Sequence, residues 1–355
     1  MRVLILSRYD NSGASSRFRM FQFLPHLENK GIEYTIHVLL GDWYVNALYS
    51  GERISKLKIA ASYFQRIKAL LRRSTYDIIW MQQEAFPWIP AWIEKLILGK
   101  KKPIIVDYDD AFFHRYNMHP SKIIRTFLGK KIDRIMEHSS AVVAGNSYLA
   151  NHAKESKAKS IVIIPTVVDT NIYTPSIDKQ QDVFTIGWIG SPHTAKYLKV
   201  IENPLSILSK EKDTVISIVG SGPFSMDDCP LQIIKWSEAD EVSLIQQFDV
   251  GVMPLSDNPW ERGKCGFKLI QYMACGIPVI ASPVGVNSSI VQQGINGYLA
   301  NSDEEWITCI LKLKNSPELR NEMGRAGRRM AEEKYSLHVA FLQLISLFEQ
   351  HYKMS

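Results

Sequence analysis

Two groups of residues have the types and spacing that chemistry needs. In the second half, Gly263, Lys264, Cys265 and Gly266 stand directly before a run in which Phe267, Ile270, Met273 and Ala274 recur at helical spacing until Gly276 ends it. A helix starting there offers backbone N–H groups outside its own ladder, the positive end of its dipole and two flanking ammonium groups, Lys264 and Lys268. That combination suits a diphosphate. The plainer alternative is a buried strand–helix–strand unit whose glycines only serve tight turns. In the first half, Asp107, Asp109 and Asp110 follow the apolar run 103–106. Carboxylates crowded at one strand end raise one another's pKa, so they need a reason to be there. A divalent-metal pair is one reason; a cap on the following helix is another. A further anion site is expected where the run 184–189 ends at Gly190, with Ser191 and Thr194 at a helix start. Gly187 and Gly190 are not the three-glycine dinucleotide fingerprint, so position carries that expectation. His193 beside them reads as a loop histidine.

Residues 266–282 read Gly-Phe-Lys-Leu-Ile-Gln-Tyr-Met-Ala-Cys-Gly-Ile-Pro-Val-Ile-Ala-Ser. This order resembles the family-4 retaining glycosyltransferases, enzymes of the two-domain GT-B fold that move a sugar from a nucleotide diphosphate. The likeness covers the second half by motif and the first half mainly by topology. It implies a donor linked to UDP or GDP, held by Gly13, Gly190, Ser191, Thr194, Gly220, Trp236, Gly266, Phe267 and Gln271, with no metal or other cofactor. Because that fold needs no metal, the likeness assigns Asp109 and Asp110 to recognising an acceptor hydroxyl or taking its proton. Lys264 and Lys268 then stabilise the charge growing on the leaving diphosphate. There is one departure. The family carries two glutamates where this chain has Gly263 and Gln271. Gln271 can still bond a ribose hydroxyl, whereas Gly263 cannot act as a carboxylate. Glu261 and Lys264 are the neighbours that could stand in.

Positioning these residues requires alternating strands and helices. Apolar runs at 2–6, 34–40, 77–81, 103–106, 141–144 and 161–164, then at 184–189, 215–219, 233–236, 250–253 and 277–281, alternate with helical patterns. The expected fold class is α/β, with two Rossmann-like doubly wound parallel sheets facing a cleft. In such a sheet the loop after the first strand faces the ligand crevice. Gly13 therefore points there, and Arg17 and Arg19 either neutralise an anion on the acceptor side, together with Asp107, or lie over the helix surface. The resemblance places a hinge at 166–176, followed by a polar turn at 178–182, and packs the last helix on the first domain. The expected domains are 1–167 with 337–355, and 168–336. Closing the hinge is expected to bring the Asp109 loop against the donor.

At 355 residues the chain suits two domains. Its four cysteines lack metal spacing and read as reduced thiols. With no leader pattern and no apolar run of about 20 residues, a cytoplasmic location is expected. The net charge of +6 is mild; it favours nucleotide phosphates or lipid headgroups, and no nucleic-acid partner is expected. Residues 55–73 and 122–134 interleave basic and apolar residues, as in helices lying on an anionic inner leaflet, although a core-covering helix with a solvated basic face has the same pattern. The expected function is transfer of a sugar to a glycan or lipid-linked acceptor in cell-surface polysaccharide or lipopolysaccharide assembly. A nucleotide-sugar epimerase and a catalytically silent nucleotide-sugar-binding subunit are the competing readings.

Overall fold

The computed structural model describes residues 1–99, 101–176 and 183–353, so the turn expected at 178–182 lies outside the described residues. The chain divides into two compact units. Unit 1 comprises Met1–Thr166, Gly263–Cys265 and Leu337–Ser355; unit 2 comprises Val167–Arg262 and Gly266–Ser336.

Unit 1 is built on strands β1 (Arg2–Tyr9), β2 (Glu33–Leu40), β3 (Ile78–Gln82), β4 (Ile104–Tyr108), β5 (Ala141–Ala144) and β6 (Ile161–Ile163). They form one sheet in the order β2-β1-β3-β4-β5-β6, and every pair is parallel. Such strands are covered on both faces, which is why Val3, Leu4, Ile5 and Leu6 are continuous apolar residues and all buried. Right-handed crossovers put the helices Lys56–Leu71, Ala91–Leu98, Lys131–His138 and Ser147–Glu155 on one face. There Leu70, Ile132, Ile135 and Leu149 close over Leu4, Leu6, Ile79 and Met81. Trp80 alternates to the other face. It meets Phe23 at 6.1 Å between ring centroids and Phe348 of the closing helix Leu337–Lys353 at 5.5 Å. Burying Phe348 contributes about 2–3 kcal/mol to holding that helix on unit 1.

Unit 2 carries β7 (Phe184–Ile189), β8 (Thr214–Val219), β9 (Gln232–Ile234), β10 (Val250–Met253), β11 (Val279–Ala281) and β12 (Gly297–Leu299). Their order is β12-β11-β10-β7-β8-β9, again parallel throughout. The expected fold class, α/β with two Rossmann-like parallel sheets, is what the chain adopts.

Both basic segments depart in part from the alternative of a core-covering helix with a solvated basic face. The helix Lys56–Leu71 does not bury the row Leu57, Phe64 and Leu71, which is exposed; Arg66 and Leu70 are buried instead, with Tyr63 and Ile67 packed on the core. Arg66 wins that place because it satisfies buried acceptors, donating through Nε to His37 Nδ1 at 2.9 Å and through Nη2 to Ser7 O at 2.5 Å and His37 O at 2.9 Å. The segment 122–134 is not one basic helix. It breaks around Gly129 into Lys122–Leu128 and Lys131–His138, and Lys131 is buried rather than solvated.

Candidate functional site

In unit 2 the winding reverses between β7 and β10, since β8 and β9 extend from one side of β7 and β10 to β12 from the other. Ligands of such sheets sit at the carboxyl ends of the strands flanking that reversal. The segment after β10 ends in the helix Phe267–Ala274, whose N-cap Gly266 has φ 66° and ψ 21°. A side chain there would be strained by the left-handed backbone, and its Cβ, 2.4 Å from Ile290 Cδ1, would also make that side chain shift. The Leu269 N–H opens the helical ladder by donating to Gly266 O at 2.9 Å, which leaves the amides before it outside that ladder. Lys268 Nζ lies 5.2 Å from the ring centroid of Trp188 on β7. Phe267 is half-buried beside it.

The β7 end is more occupied than expected. The Ser191 N–H donates to Thr194 Oγ1 at 3.0 Å and the Thr194 N–H to Ser191 O at 2.9 Å, so both are engaged in a local cap. Gly190 N–H donates to Val219 O at 3.0 Å, and Gly220 N–H to Ile234 O at 2.9 Å, joining the two turns. Gln271 is buried, and its Nε2 donates to Glu241 Oε1 at 2.8 Å. Glu241 also accepts from Trp236 Nε1 at 2.5 Å and from Tyr173 Oη. The amide expected to reach a ribose therefore braces Glu241, and Glu241 in turn fixes the Trp236 indole. Glu261, one stand-in for the missing glutamate, is buried and accepts from Tyr197 Oη at 2.5 Å.

In unit 1 the reversal lies between β1 and β3, and β4 is next to β3. Asp107 is a correction. It is buried and held bidentately by Arg19, with Nε to Oδ1 at 2.7 Å and Nη2 to Oδ2 at 3.0 Å, while Arg19 Nη1 donates to Ile164 O at 2.9 Å. Both partners are spent on fastening β4 to the first helix and β6, so neither meets a substrate. Arg17 lays its guanidinium 4.8 Å from the Phe18 ring centroid, over the helix surface. Gly13 N–H donates to Asp10 O at 2.9 Å and makes the turn after β1.

Asp109 is half-buried and oriented. Ser15 Oγ donates to its Oδ2, Gln83 Nε2 to its Oδ1 at 3.4 Å, and Gln82 Nε2 to Ser15 Oγ at 2.8 Å. Gln82 Oε1 accepts from Arg8 N–H at 2.9 Å and from Ser16 Oγ at 2.8 Å. Ser15 lies in the loop after β1 to which the reversal rule had pointed, yet was not singled out; Gln82 escaped the sequence reading, and the same rule applied to β3 would have found it. Asp110 faces Lys264, with Nζ at 3.7 Å.

The segment Gly263–Cys265 is fastened within unit 1. Asn146 Nδ2 donates to Gly263 O at 2.9 Å and to Lys264 O at 3.0 Å, and Cys265 Sγ donates to Asp109 O at 3.0 Å. A Cβ on residue 263 would stand 2.5 Å from Ala111 Cβ and 2.9 Å from Ala111 N. That contact leaves no room for the family's glutamate. Burial pushes the Cys265 thiol far up, so it is a neutral donor and no nucleophile.

Behind these loops lies a buried charge cluster. Lys131 Nζ contacts Glu84 Oε2 at 2.6 Å, Glu94 Oε2 at 3.3 Å and Phe86 O at 2.5 Å; Arg8 Nη1 reaches Glu84 Oε1 at 3.3 Å, and Tyr116 Oη donates to Glu84 at 2.8 Å. Burial alone would raise the Glu84 pKa, but Lys131 and Arg8 outweigh it and hold Glu84 below its ordinary value.

Comparison with known proteins agrees with the two-sheet fold. Residues 183–316 match the family model described as glycosyl transferases group 1. Sulfoquinovosyl transferase SQD2 of Arabidopsis thaliana is 24% identical over 368 residues, covering 93% of this chain and 69% of the plant protein. Sucrose-phosphate synthase from Thermosynechococcus elongatus superposes with a TM-score of 0.77 at 15% identity, over 100% of both chains. Anabaena HepE in complex with UDP-glucose superposes with a TM-score of 0.73 at 16% identity, over 99% of this chain and 100% of its own.

Proposed function

We propose that this chain, a family-4 glycosyltransferase of the GT-B fold dependent on a nucleotide sugar, holds a UDP-linked sugar in unit 2 by its diphosphate at the start of the helix Phe267–Ala274. One observation carries this reading: a left-handed glycine cap in the segment that follows β10, with Lys268 two residues on beside Trp188. Backbone amides and a helix dipole favour a diphosphate there, and an ammonium group adds charge where the leaving oxygen becomes anionic. The base is assigned to the turn at Gly220 and the backbone beside Trp236, whose indole Glu241 holds. Uridine is chosen over guanosine because HepE is described with UDP-glucose.

The acceptor is assigned to unit 1, a glycan or a lipid-linked one, with Asp109 taking or orienting its hydroxyl proton. The Gln82–Ser15–Asp109 chain supports that role, because it fixes a half-exposed carboxylate without neutralising it. Asp110, paired with Lys264, orients the hydroxyl. Transfer is read as retaining on the likeness to the family-4 enzymes, and the growing charge on the leaving group is met by lysine and amides. It is read as independent of metal, and its place is cell-surface polysaccharide or lipopolysaccharide assembly at the cytoplasmic face of the membrane.

A thermal-shift panel of UDP, GDP and their sugars tests the donor half, because a ligand that binds only the folded state raises Tm. UDP and UDP-sugars are expected to raise it, and Lys268→Ala to remove most of that rise; an unchanged shift in the variant refutes the diphosphate site. For the acceptor half, Asp109→Asn is expected to lower kcat about a hundredfold while leaving the UDP shift intact, and EDTA to leave turnover unchanged.

A further inference from the structure

The face of unit 1 formed by the helices Lys56–Leu71, Ala91–Leu98 and Lys122–Leu128 presents large apolar side chains to solvent. Leu57, Phe64 and Leu71 are 84%, 65% and 69% exposed. Steps of seven residues return within about 20° on a helix, so the three form one row, and fourteen residues at 1.5 Å make it roughly 21 Å long. On the next helix, Trp92 and Leu96 are 62% and 75% exposed at four-residue spacing; on the third, Ile123 and Phe127 are 71% and 73% exposed at the same spacing. Single exposed apolar residues need no explanation, whereas aligned rows on neighbouring helices do.

The three helices share a face. The first two connect consecutive parallel strands by crossovers of one hand, and the third lies in the next such connection. Tyr63 Oη of the first helix donates to Pro87 O, 2.6 Å away in the loop that enters the second. In the same loop, Trp88 meets the His119 ring at 5.8 Å, just before the third helix begins.

The exposed charges on these three helices have one sign. Lys56, Lys58, Lys68 and Arg72 are exposed along or beside the first row, and Lys122 and Arg125 beside the last. Within the three helices the one carboxylate is Glu94, which is buried against Lys131. A second copy of this chain would set lysines against lysines, and a nucleic acid would gain nothing from the apolar rows. An anionic bilayer satisfies both features, with acyl boundary for the rows and lipid phosphates for the ammonium groups. Among the described residues no helix is long and apolar enough to cross a membrane, so contact is along the surface.

We infer that this face of unit 1 docks on an anionic lipid bilayer. The inference deepens the assignment of a lipid-linked acceptor to unit 1, since a bilayer-bound enzyme meets such an acceptor in two dimensions. Its test is independent of that assignment, because binding is read without donor or acceptor. Sedimentation with vesicles rich in phosphatidylglycerol at low salt is expected to carry the protein down. Vesicles of phosphatidylcholine alone should not, and salt should weaken the binding. The double substitution Phe64→Glu with Phe127→Glu is expected to lower the partition coefficient about tenfold or more. Ile172→Glu, placed at a 61% exposed position of unit 2, should leave it unchanged. Because all three positions are exposed, circular dichroism and Tm should match the parent. The inference is overturned if the parent fails to sediment with anionic vesicles, if the double variant sediments equally, or if light scattering shows a dimer that the double variant dissociates.

Discussion

The carboxyl ends of the two sheets solve different problems with different residue types. In unit 1 they are crowded with ions, and most are paired inside the protein: Arg19 with Asp107, Lys131 with Glu84 and Glu94, Arg8 with Glu84. In unit 2 the corresponding ends are glycine turns, backbone amides and one lysine beside an indole. Buried ion pairs hold loops in one arrangement at a high desolvation cost and leave little charge for a ligand. Glycine turns keep the backbone itself available to an anion. On this contrast, unit 1 is stiffened so that one carboxylate, Asp109, stays oriented, while unit 2 presents glycine turns and a helix start at its strand ends.

The largest effect expected from breaking this contrast is Lys131→Met. It strands Glu94 without its cation, leaves Glu84 with Arg8 alone, and should cost about 3–5 kcal/mol, read as a fall in Tm or denaturant midpoint; a stable variant would mean the cluster holds nothing. Lys268→Ala should do the opposite in kind, lowering kcat about a hundredfold, or about 2.7 kcal/mol, with little change in Tm. Gly263→Glu restores the family's residue type, yet its Cβ would collide with Ala111. The expected result is a loss of about 1–3 kcal/mol of stability and no gain in turnover; higher activity would overturn the steric account of that glycine.

The smallest effect sharpens the unit 1 side. Burial first, and then the Arg66 charge, lower the His37 pKa from 6.5 to about 4, and the neutral Nδ1 accepts from Arg66 Nε. Because the folded value lies below the unfolded one, this interaction stabilises fully above pH 6.5 and is lost as the pH falls toward 4. After discounting for partial exposure, a fall of under about 1 kcal/mol is expected between those limits. It should be absent in His37→Gln, where the amide oxygen accepts from Arg66 without titrating; an identical acid slope in both would remove the assignment.

Much of the fold was legible because parallel strands buried on both faces read as short apolar runs, and the helix after Gly266 announced itself by spacing and by glycines at both ends. The order of that helix start was legible for the same local reason, since the glycine, the lysine and the first helical turn are neighbours in sequence. Side-chain direction was not legible where two stripes on one helix were both plausible. In Lys56–Leu71 the apolar residues did not say which of them face the core; Arg66 and Leu70 are buried and Leu57, Phe64 and Leu71 exposed, because distant carbonyls of Ser7 and His37 needed a donor. Asp107 and Asp109 are two residues apart and look alike, yet Arg19 consumes one, while Ser15 and Gln83 hold the other half-exposed.

By itself the sequence determined the strand and helix alternation, the two parallel sheets and the glycine-led helix start, because these follow from residue periodicity and from backbone conformations that only glycine adopts cheaply. The tertiary structure alone decided which charges are spent inside the protein and which remain for chemistry, why residue 263 is a glycine, and which face of the first long helix meets solvent. Those outcomes depend on partners 29 to 156 residues away, and a burial or pairing energy has no value until such partners are brought within a few ångströms.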